Sequence, residues 1–246
     1  MAAPLISVRD LHYRYPDGTQ ALRGVDFTLE AGETVVLLGA NGSGKTTFAL
    51  HLNGLLPGGD KVRVCGLPAI PANLPEIRRK VGVVFQNSDE QLFMANVLDD
   101  VAFGPLNQGL PPEEAYALAR SALSEVGLEE AGERVPHHLS AGQKKRAAIA
   151  GVLAMDPAVL ILDEPTVFLD PPGQRNLFDL LDKLPQAKIV VTHDLHLARR
   201  LGTRALFFRE GRIAGEGPVD AVIRQFEWEV ETPESAVNSD GNRRGS

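Results

Sequence analysis

Eight consecutive residues, Gly39–Ala40–Asn41–Gly42–Ser43–Gly44–Lys45–Thr46, carry the spacing G-x-x-x-x-G-K-[ST]. Each residue type serves one chemistry. The glycines let successive backbone N–H groups turn inward and form a concave anion nest. A helix starting at Lys45 adds the positive end of its dipole. The Lys45 side chain reaches the β- and γ-phosphates of a nucleotide, and the Thr46 hydroxyl offers a ligand to Mg²⁺. Gly39, Asn41, Gly42, Ser43, Gly44, Lys45, Thr46 and Thr47 are the expected nucleotide contacts. A flexible glycine turn has a similar composition. Here, however, "TVVLLG" precedes the loop and "TFALHLNGLL" follows it, which places it between a buried strand and a helix.

Other polar residues fall where short apolar runs end. "LILDEP" puts Asp163 and Glu164 at the end of a buried strand, and ligands of open α/β sheets bind outside the carboxyl ends of strands. Asp163 is placed to hold Mg²⁺ through water, and Glu164 to polarise an attacking water. Gln86 follows "VGVVF" and His193 follows "KIVVT", so four polar side chains converge on one sheet edge. His193 reads as a γ-phosphate contact rather than a satisfied structural histidine. Tyr15 offers two readings, stacking on a nucleotide base or plain core packing, and residue physics does not choose between them. "LSAGQKKR" (139–146) is polar and glycine-containing yet lies far along the chain from the phosphate loop. It holds no nucleophile with a base beside it and no metal-ligand spacing; Ser140 suits a helix N-cap.

Periodicity identifies the elements that must position these groups. "LISVRDLHYRY" alternates as a strand, and "VDFTL" before "EAGE" reads as a second. "TVVLLG", "KVGVVFQ", "AVLILDEP" and "KIVVTHD" are short continuous apolar runs, as in strands buried on both faces. "PPEEAYALARSALSEVG" and "SAGQKKRAAIAGVLAM" are helical. "RALFFREGRIAGEG" reads as a hairpin about Glu210–Gly211, and "PVDAVIRQF" as a short helix. The buried strands fall before about 86 and after about 158, with helices between, which predicts an α/β fold: a parallel sheet with a helical insertion at about 87–156. Residues 1–227 form one nucleotide-binding domain on this reading, and 228–246 an acidic, then polar, flexible tail.

Composition narrows the function. A net charge of −7 argues against electrostatic capture of nucleic acid. The single cysteine, Cys65, excludes an intrachain disulfide and a cysteine-based zinc site, and fits a reducing compartment. "MAAPLISVRD" does not read as a signal peptide, and no stretch approaches the roughly 20 apolar residues of a membrane span. Membrane association is therefore expected only through a partner.

In order and spacing, Gly39–Thr46, Gln86, "LSAGQ", "LILDE", Leu169–Asp170 and His193 resemble the ATP-binding cassette (ABC) ATPases over about residues 5–225. The resemblance implies a phosphate-loop core with a parallel sheet, an antiparallel β subdomain and the inserted helical subdomain, and it implies ATP hydrolysis with Mg²⁺. "LSAGQ" is similar to the family's LSGGQ signature. Ser140, Ala141, Gly142 and Gln143 would then face the γ-phosphate held by another subunit. Tyr15 matches the adenine-stacking aromatic, Gln86 the loop that senses Mg²⁺ and the membrane partner, and Asp170 the loop that contacts the opposite subunit. Glu164, His193 and Gln86 become the expected catalytic residues, and Thr46, Gln86 and Asp163 the Mg²⁺ site.

A narrower likeness lies in "HLNGLLPG", "FQNSDEQLFMANVLDDVAFGPLNQGL" and "LSAGQKKRAAIAGVLAM", which resemble ATPase components of energy-coupling factor transporters, the cobalt and nickel branch above all. This implies an importer of a metal ion or a vitamin. Its other parts would be a second ATPase subunit (the same chain or a related one), a transmembrane scaffold and a substrate-capture membrane subunit, with no nucleic acid. The chain would sit on the cytoplasmic face of the membrane. Asp89–Phe93 would meet the scaffold's coupling helices; the alternative for that segment is a solvated acidic loop held by two buried apolar residues. Soluble cassette proteins acting on DNA or ribosomes usually carry long coiled-coil insertions or tandem cassettes, and this chain has neither. A phosphate-loop kinase would leave "LSAGQ" and His193 unexplained. Two positions depart from the family pattern: Ala141 replaces a glycine of the signature, and Phe168 stands where the family has glycine or alanine.

Overall fold

Strands read as continuous apolar runs only when layers cover both faces of their sheet. The computed structural model describes residues 3–228. Its first elements are β1 (Ile6–Arg14) and β2 (Gln20–Leu29), an antiparallel pair. β3 (Thr34–Leu38) leads through the glycine loop into α1 (Lys45–Leu52). The hairpin of β4 (Gly59–Val64) and β5 (Leu67–Ala69) and then α2 (Leu74–Lys80) precede β6 (Val81–Val84). Three helices follow: α3 (Val97–Asn107), α4 (Pro112–Glu125) and α5 (Ala141–Leu153). Then come β7 (Val159–Asp163), α6 (Pro171–Lys183), β8 (Ala187–Val191) and α7 (Leu195–Leu201). β9 (Arg204–Arg209), β10 (Arg212–Gly217) and α8 (Val219–Gln225) complete the described chain.

The strands form two sheets. One is four-stranded and antiparallel, in the order β2-β1-β4-β5; the other is six-stranded, in the order β10-β9-β3-β8-β7-β6. In the larger sheet all neighbours run parallel except β10 against β9. Period-two alternation divides its side chains between two cores. Val35, Leu37, Ile161 and Ile189 join the core under the antiparallel sheet and α1. Val36, Leu38, Leu160, Leu162 and Val190 join the core under the helices. With apolar residues on both faces, polar groups are confined to the strand ends, as Thr34 and Lys188 are near the amino ends of β3 and β8.

Glycine controls one contact that matters for the site. A Cβ on Gly82 of β6 would fall on the Val152 side chain of α5, so glycine lets α5 close onto the sheet. At its other end α5 is fixed by a capping box: Ser140 Oγ accepts from Gln143 N at 3.2 Å, and Gln143 Oε1 accepts from Ser140 N at 3.0 Å.

The expected hairpin turn is present, with Glu210 at φ 50° and Gly211 at φ 76°, the left-handed pair that a two-residue primed turn requires. Sequence reading assigns no element to 59–80 or to 171–183. The β4–β5 hairpin has its own signal in Cys65–Gly66, both left-handed at φ 48° and 81°. Helix α6 also has one, in Asp170 as N-cap followed by Pro171. Among the described residues no helix is long and apolar enough to cross a membrane. Trp228 packs edge-on to Phe207 at 5.2 Å. The rest of the expected tail, from 229 onward, lies outside the described residues.

Candidate active site

The phosphate loop leaves β3 through Gly39, at φ 131°. A Cβ there would fall on the Phe208 carbonyl oxygen, so only glycine passes. Gly44, at φ 109°, sits where a Cβ would lie 2.8 Å from the Ala21 carbonyl oxygen, while Gly42, at φ 76°, faces open space. The β9–β10 turn braces the loop from behind: Gly211 N donates to Ser43 O at 2.9 Å. The Lys45 ammonium folds over the loop and donates to the carbonyls of Gly39 (2.6 Å) and Ala40 (3.0 Å). Burial lowers the Lys45 pKa, and the nearby charges of Glu164 and Asp163 oppose that shift. The buried Ser43 hydroxyl has no hydrogen-bond partner. An inward-turned loop, a cation held over it and an orphaned hydroxyl fit a polyphosphate.

β7 ends on Asp163, whose Oδ1 lies 3.5 Å from Thr46 Oγ1. Burial raises the pKa of Asp163, with the Thr46 contact opposing it. Two such oxygens are the donor type that a hard divalent cation takes. Glu164 follows in a left-handed conformation, φ 43°, its N–H donating to Val191 O at 2.8 Å. Its Oε2 lies 2.8 Å from His193 Nδ1 and accepts from His193 N at 3.3 Å. The Glu164 side chain is 12% exposed and that of His193 67%, so the imidazole stands outside and the carboxylate behind it. Tyr15 OH meets Thr47 Oγ1 at 3.0 Å, and its ring packs edge-on to Tyr13 at 5.0 Å.

One cleft of about 470 Å³ gathers most of the expected residues. Tyr15, Asn41, Gly42, Gly44, Lys45, Thr46 and Thr47 line one side; Gln86, Asp163, Glu164 and His193 line the other. Gly39 and Ser43 lie buried beneath the loop. Thr19, Gln20 and Ala21 complete the wall beside Tyr15. Sequence reading gives them no role, and their only signal is that they follow Tyr15 around the β1–β2 turn.

Ser140, Ala141, Gly142, Gln143 and Asp170 are elsewhere. With Phe168 they line a separate cavity of about 400 Å³, and none of the residues lining it also lines the phosphate-loop cleft. Asp170 Oδ1 accepts from Gly173 N at 2.9 Å, so this side chain is also the cap of α6.

A third concavity, about 550 Å³, opens on the other side of the Gln86 loop. Phe93 (61% exposed) and Phe103 (41%) meet edge-to-face there at 5.0 Å. This corrects one alternative: a merely solvated loop over Asp89–Phe93 would bury Phe93, and the ring is mostly exposed.

A glycine loop between β3 and α1, an acidic pair ending the parallel strand β7 one strand removed from β3, and a helical insertion define a phosphate-loop nucleoside triphosphatase. Residues 22–167 match the ABC transporter family, and the chain belongs to that family. It is the ATP-binding subunit of an ABC transporter, an ATPase whose hydrolysis is coupled to transport. The energy-coupling factor transporter ATP-binding protein EcfA of Methanocaldococcus jannaschii is 45% identical over 229 residues, 91% of this chain and 82% of that protein. The structure of cbiO1 from Clostridium perfringens, part of the ABC transporter complex cbiONQ, superposes with a TM-score of 0.81 at 37% identity, covering 92% of this chain and 93% of that one. The dimeric ATP-binding cassette MJ0796, in a post-hydrolysis state bound to ADP and Pi, gives a TM-score of 0.78 at 28% identity, covering 87% of this chain and 98% of that one.

Phe168 combines φ 67° with 73% exposure. A non-glycine residue in that region costs about 1–2 kcal/mol, and an exposed ring regains little of it by packing. Phe168→Gly should therefore leave the unfolding free energy of the isolated chain unchanged or raise it by up to about 1 kcal/mol. Denaturant titration checks this. A loss of about 3 kcal/mol or more, the cost of emptying a packed site, would contradict it.

Proposed function

We propose that the chain is the ATP-hydrolysing subunit of an energy-coupling factor type importer for a cobalt or nickel ion or a vitamin. It works on the cytoplasmic face of the membrane with a second ATPase subunit, a transmembrane scaffold and a substrate-capture membrane subunit. The observation that carries this reading is the groove on the far side of the Gln86 loop, with Phe93 and Phe103 exposed in it. Exposed aromatics in a concavity are the composition of a docking site. Gln86 belongs both to the nucleotide cleft and to the loop that ends at this groove, so a scaffold seated there acts on the site within a few residues. Likeness to EcfA and to cbiO1 supports the importer type. In domain terms, residues 1–227 are one nucleotide-binding domain, with 87–156 its helical subdomain, and Trp228, expected to open the tail at 228–246, packs on the domain through Phe207 instead.

In this reading the loop amides and Lys45 bind the phosphates, and Tyr15 stacks on the adenine. Thr46, Gln86 and Asp163 hold Mg²⁺, which supplies neutralisation of phosphate charge when bound. Glu164 orients the attacking water, and the His193 imidazole, fixed against Glu164, contacts the γ-phosphate. Phosphoryl transfer of this kind depends on position and electrostatics rather than on covalent catalysis. Ser140, Ala141, Gly142 and Gln143 complete the site of a second subunit, met head to tail about a two-fold axis so that the need is satisfied twice. Asp170 touches that subunit beside them.

Glu164→Gln keeps the shape and the hydrogen bonding of the side chain but removes its charge. ATP binding should persist while phosphate release falls by roughly 10² or more; near-native turnover would refute the role of Glu164. The arrangement across two copies has its own test. In a Cys65→Ser, Glu164→Gln background, Asn41→Cys with Ala141→Cys should form a disulfide-linked dimer under Mg-ATP and oxidation, and not without nucleotide. Such a bond needs Cα atoms within about 7 Å. A crosslinked monomer would overturn the head-to-tail arrangement. Finally, affinity purification from solubilised membranes should bring down two kinds of membrane protein together with bound metal or vitamin. Recovery of the chain with ribosomes or DNA instead would refute the importer reading.

A further inference from the structure

The three cations of "LSAGQKKR" do not face the cleft at the phosphate loop; each is tied to another segment of its own chain. Lys144 pairs with Asp89 at 2.6 Å, and Arg146 donates to the carbonyls of Val126 (2.9 Å) and Gly127 (3.1 Å). Lys145 is different in kind. It is only 2% exposed, and its ammonium donates to the carbonyl oxygens of Phe85 (3.0 Å) and Gln86 (2.8 Å), at the end of β6. A methionine would fill the same space if packing were the only need, so a buried cation here marks a requirement for donors. The same loop is clasped from its other side by Gln91. Its Oε1 accepts from Phe85 N at 3.1 Å, and its Nε2 donates to Val83 O at 3.2 Å.

We infer that Lys145 is a positioning residue, a clamp through which the signature helix sets the place of Gln86 in the nucleotide cleft. Ser140 caps the first turn of α5, and Lys145 lies in the next turn of the same rigid helix. Any displacement of the signature when a second subunit engages it is therefore delivered to Gln86 through two charge-assisted hydrogen bonds. Lys145 also borders a cavity shared with Gln86 and Asp163, so the clamp stands next to the reacting centre without lining the phosphate-loop cleft itself. The consequence for turnover rests on the role proposed for Gln86; the clamp itself does not.

Hydrogen exchange and steady-state kinetics on the full chain separate the two. In Lys145→Met, amide exchange over 85–91 should quicken by about tenfold or more, since two bonds to a charged donor are lost. ATP affinity and exchange in the β3 and β8 cores should stay within about threefold of the parent. Turnover should fall about tenfold with little change in KM, and Lys145→Arg, which keeps the donors, should recover much of it. Unchanged exchange over 85–91 overturns the clamp, and so does quickening spread evenly across the core, which marks simple destabilisation. If the methionine variant does not fold, Lys145→Gln, with a shorter neutral donor, should quicken the same segment by a smaller factor, and no change there likewise overturns the clamp. Gln86→Ala measured beside them tells the readings apart. Native turnover in that variant would remove the role given to Gln86 while leaving the clamp to be judged on exchange alone.

Discussion

β3, β7 and β8 are covered on both faces, so polar side chains on them are confined to the strand ends: Thr34 and Lys188 near the amino ends, the site residues where the strands run out. This constraint organises the site. Because the three strands are parallel and adjacent, their carboxyl ends fall on one edge, and the phosphate loop, the Asp163–Glu164 pair and His193 are gathered there without further device. β6 adds Gln86 at the outer end of the same edge. The antiparallel sheet brings Tyr15 over it from the other side.

The same edge is where backbone strain collects. Glu164 and Phe168 both adopt left-handed conformations on the short path from β7 to α6, and neither is a glycine. For Glu164 the strain comes with a benefit, since the turn sets its carboxylate against His193 and leaves its N–H on Val191. Phe168 gains no such intrachain bond, and its ring stands in solvent beside the signature cavity. A family preference for glycine or alanine at that position is understandable from φ alone for glycine. Nothing within the described residues explains the phenylalanine.

Separation of the signature from the phosphate loop follows from the fold as well. α5 is held to the sheet through Gly82 and to the Gln86 loop through Lys145, so its N-terminus stands outside the phosphate-loop cleft, with Ala141 also bordering the cavity shared with Gln86 and Asp163. The capping box uses the side chains of Ser140 and Gln143 to set the first turn. One rigid helix thus joins the signature, at its capped end, to the Gln86 loop, along its side.

The phosphate loop, the strand-terminal acids and the capped signature helix were legible in the sequence because each depends on neighbours within a few residues: glycines that permit a nest, apolar runs that mark buried strands, a serine three residues before a glutamine. The β4–β5 hairpin and α6 carried comparable local signals in Cys65–Gly66 and Asp170–Pro171, overshadowed by the motifs around them. Other features had no local signal. That Lys145 is buried and spends its donors on carbonyls some sixty residues away follows from how α5 packs on β6. The exposure of Phe93, the positive φ of Phe168 and the division of the expected nucleotide contacts between two separate cavities were likewise decided only by tertiary structure. Residue type and spacing determine what chemistry a segment can do; which segments share a cleft depends on long-range packing, and no local pattern encodes that distance.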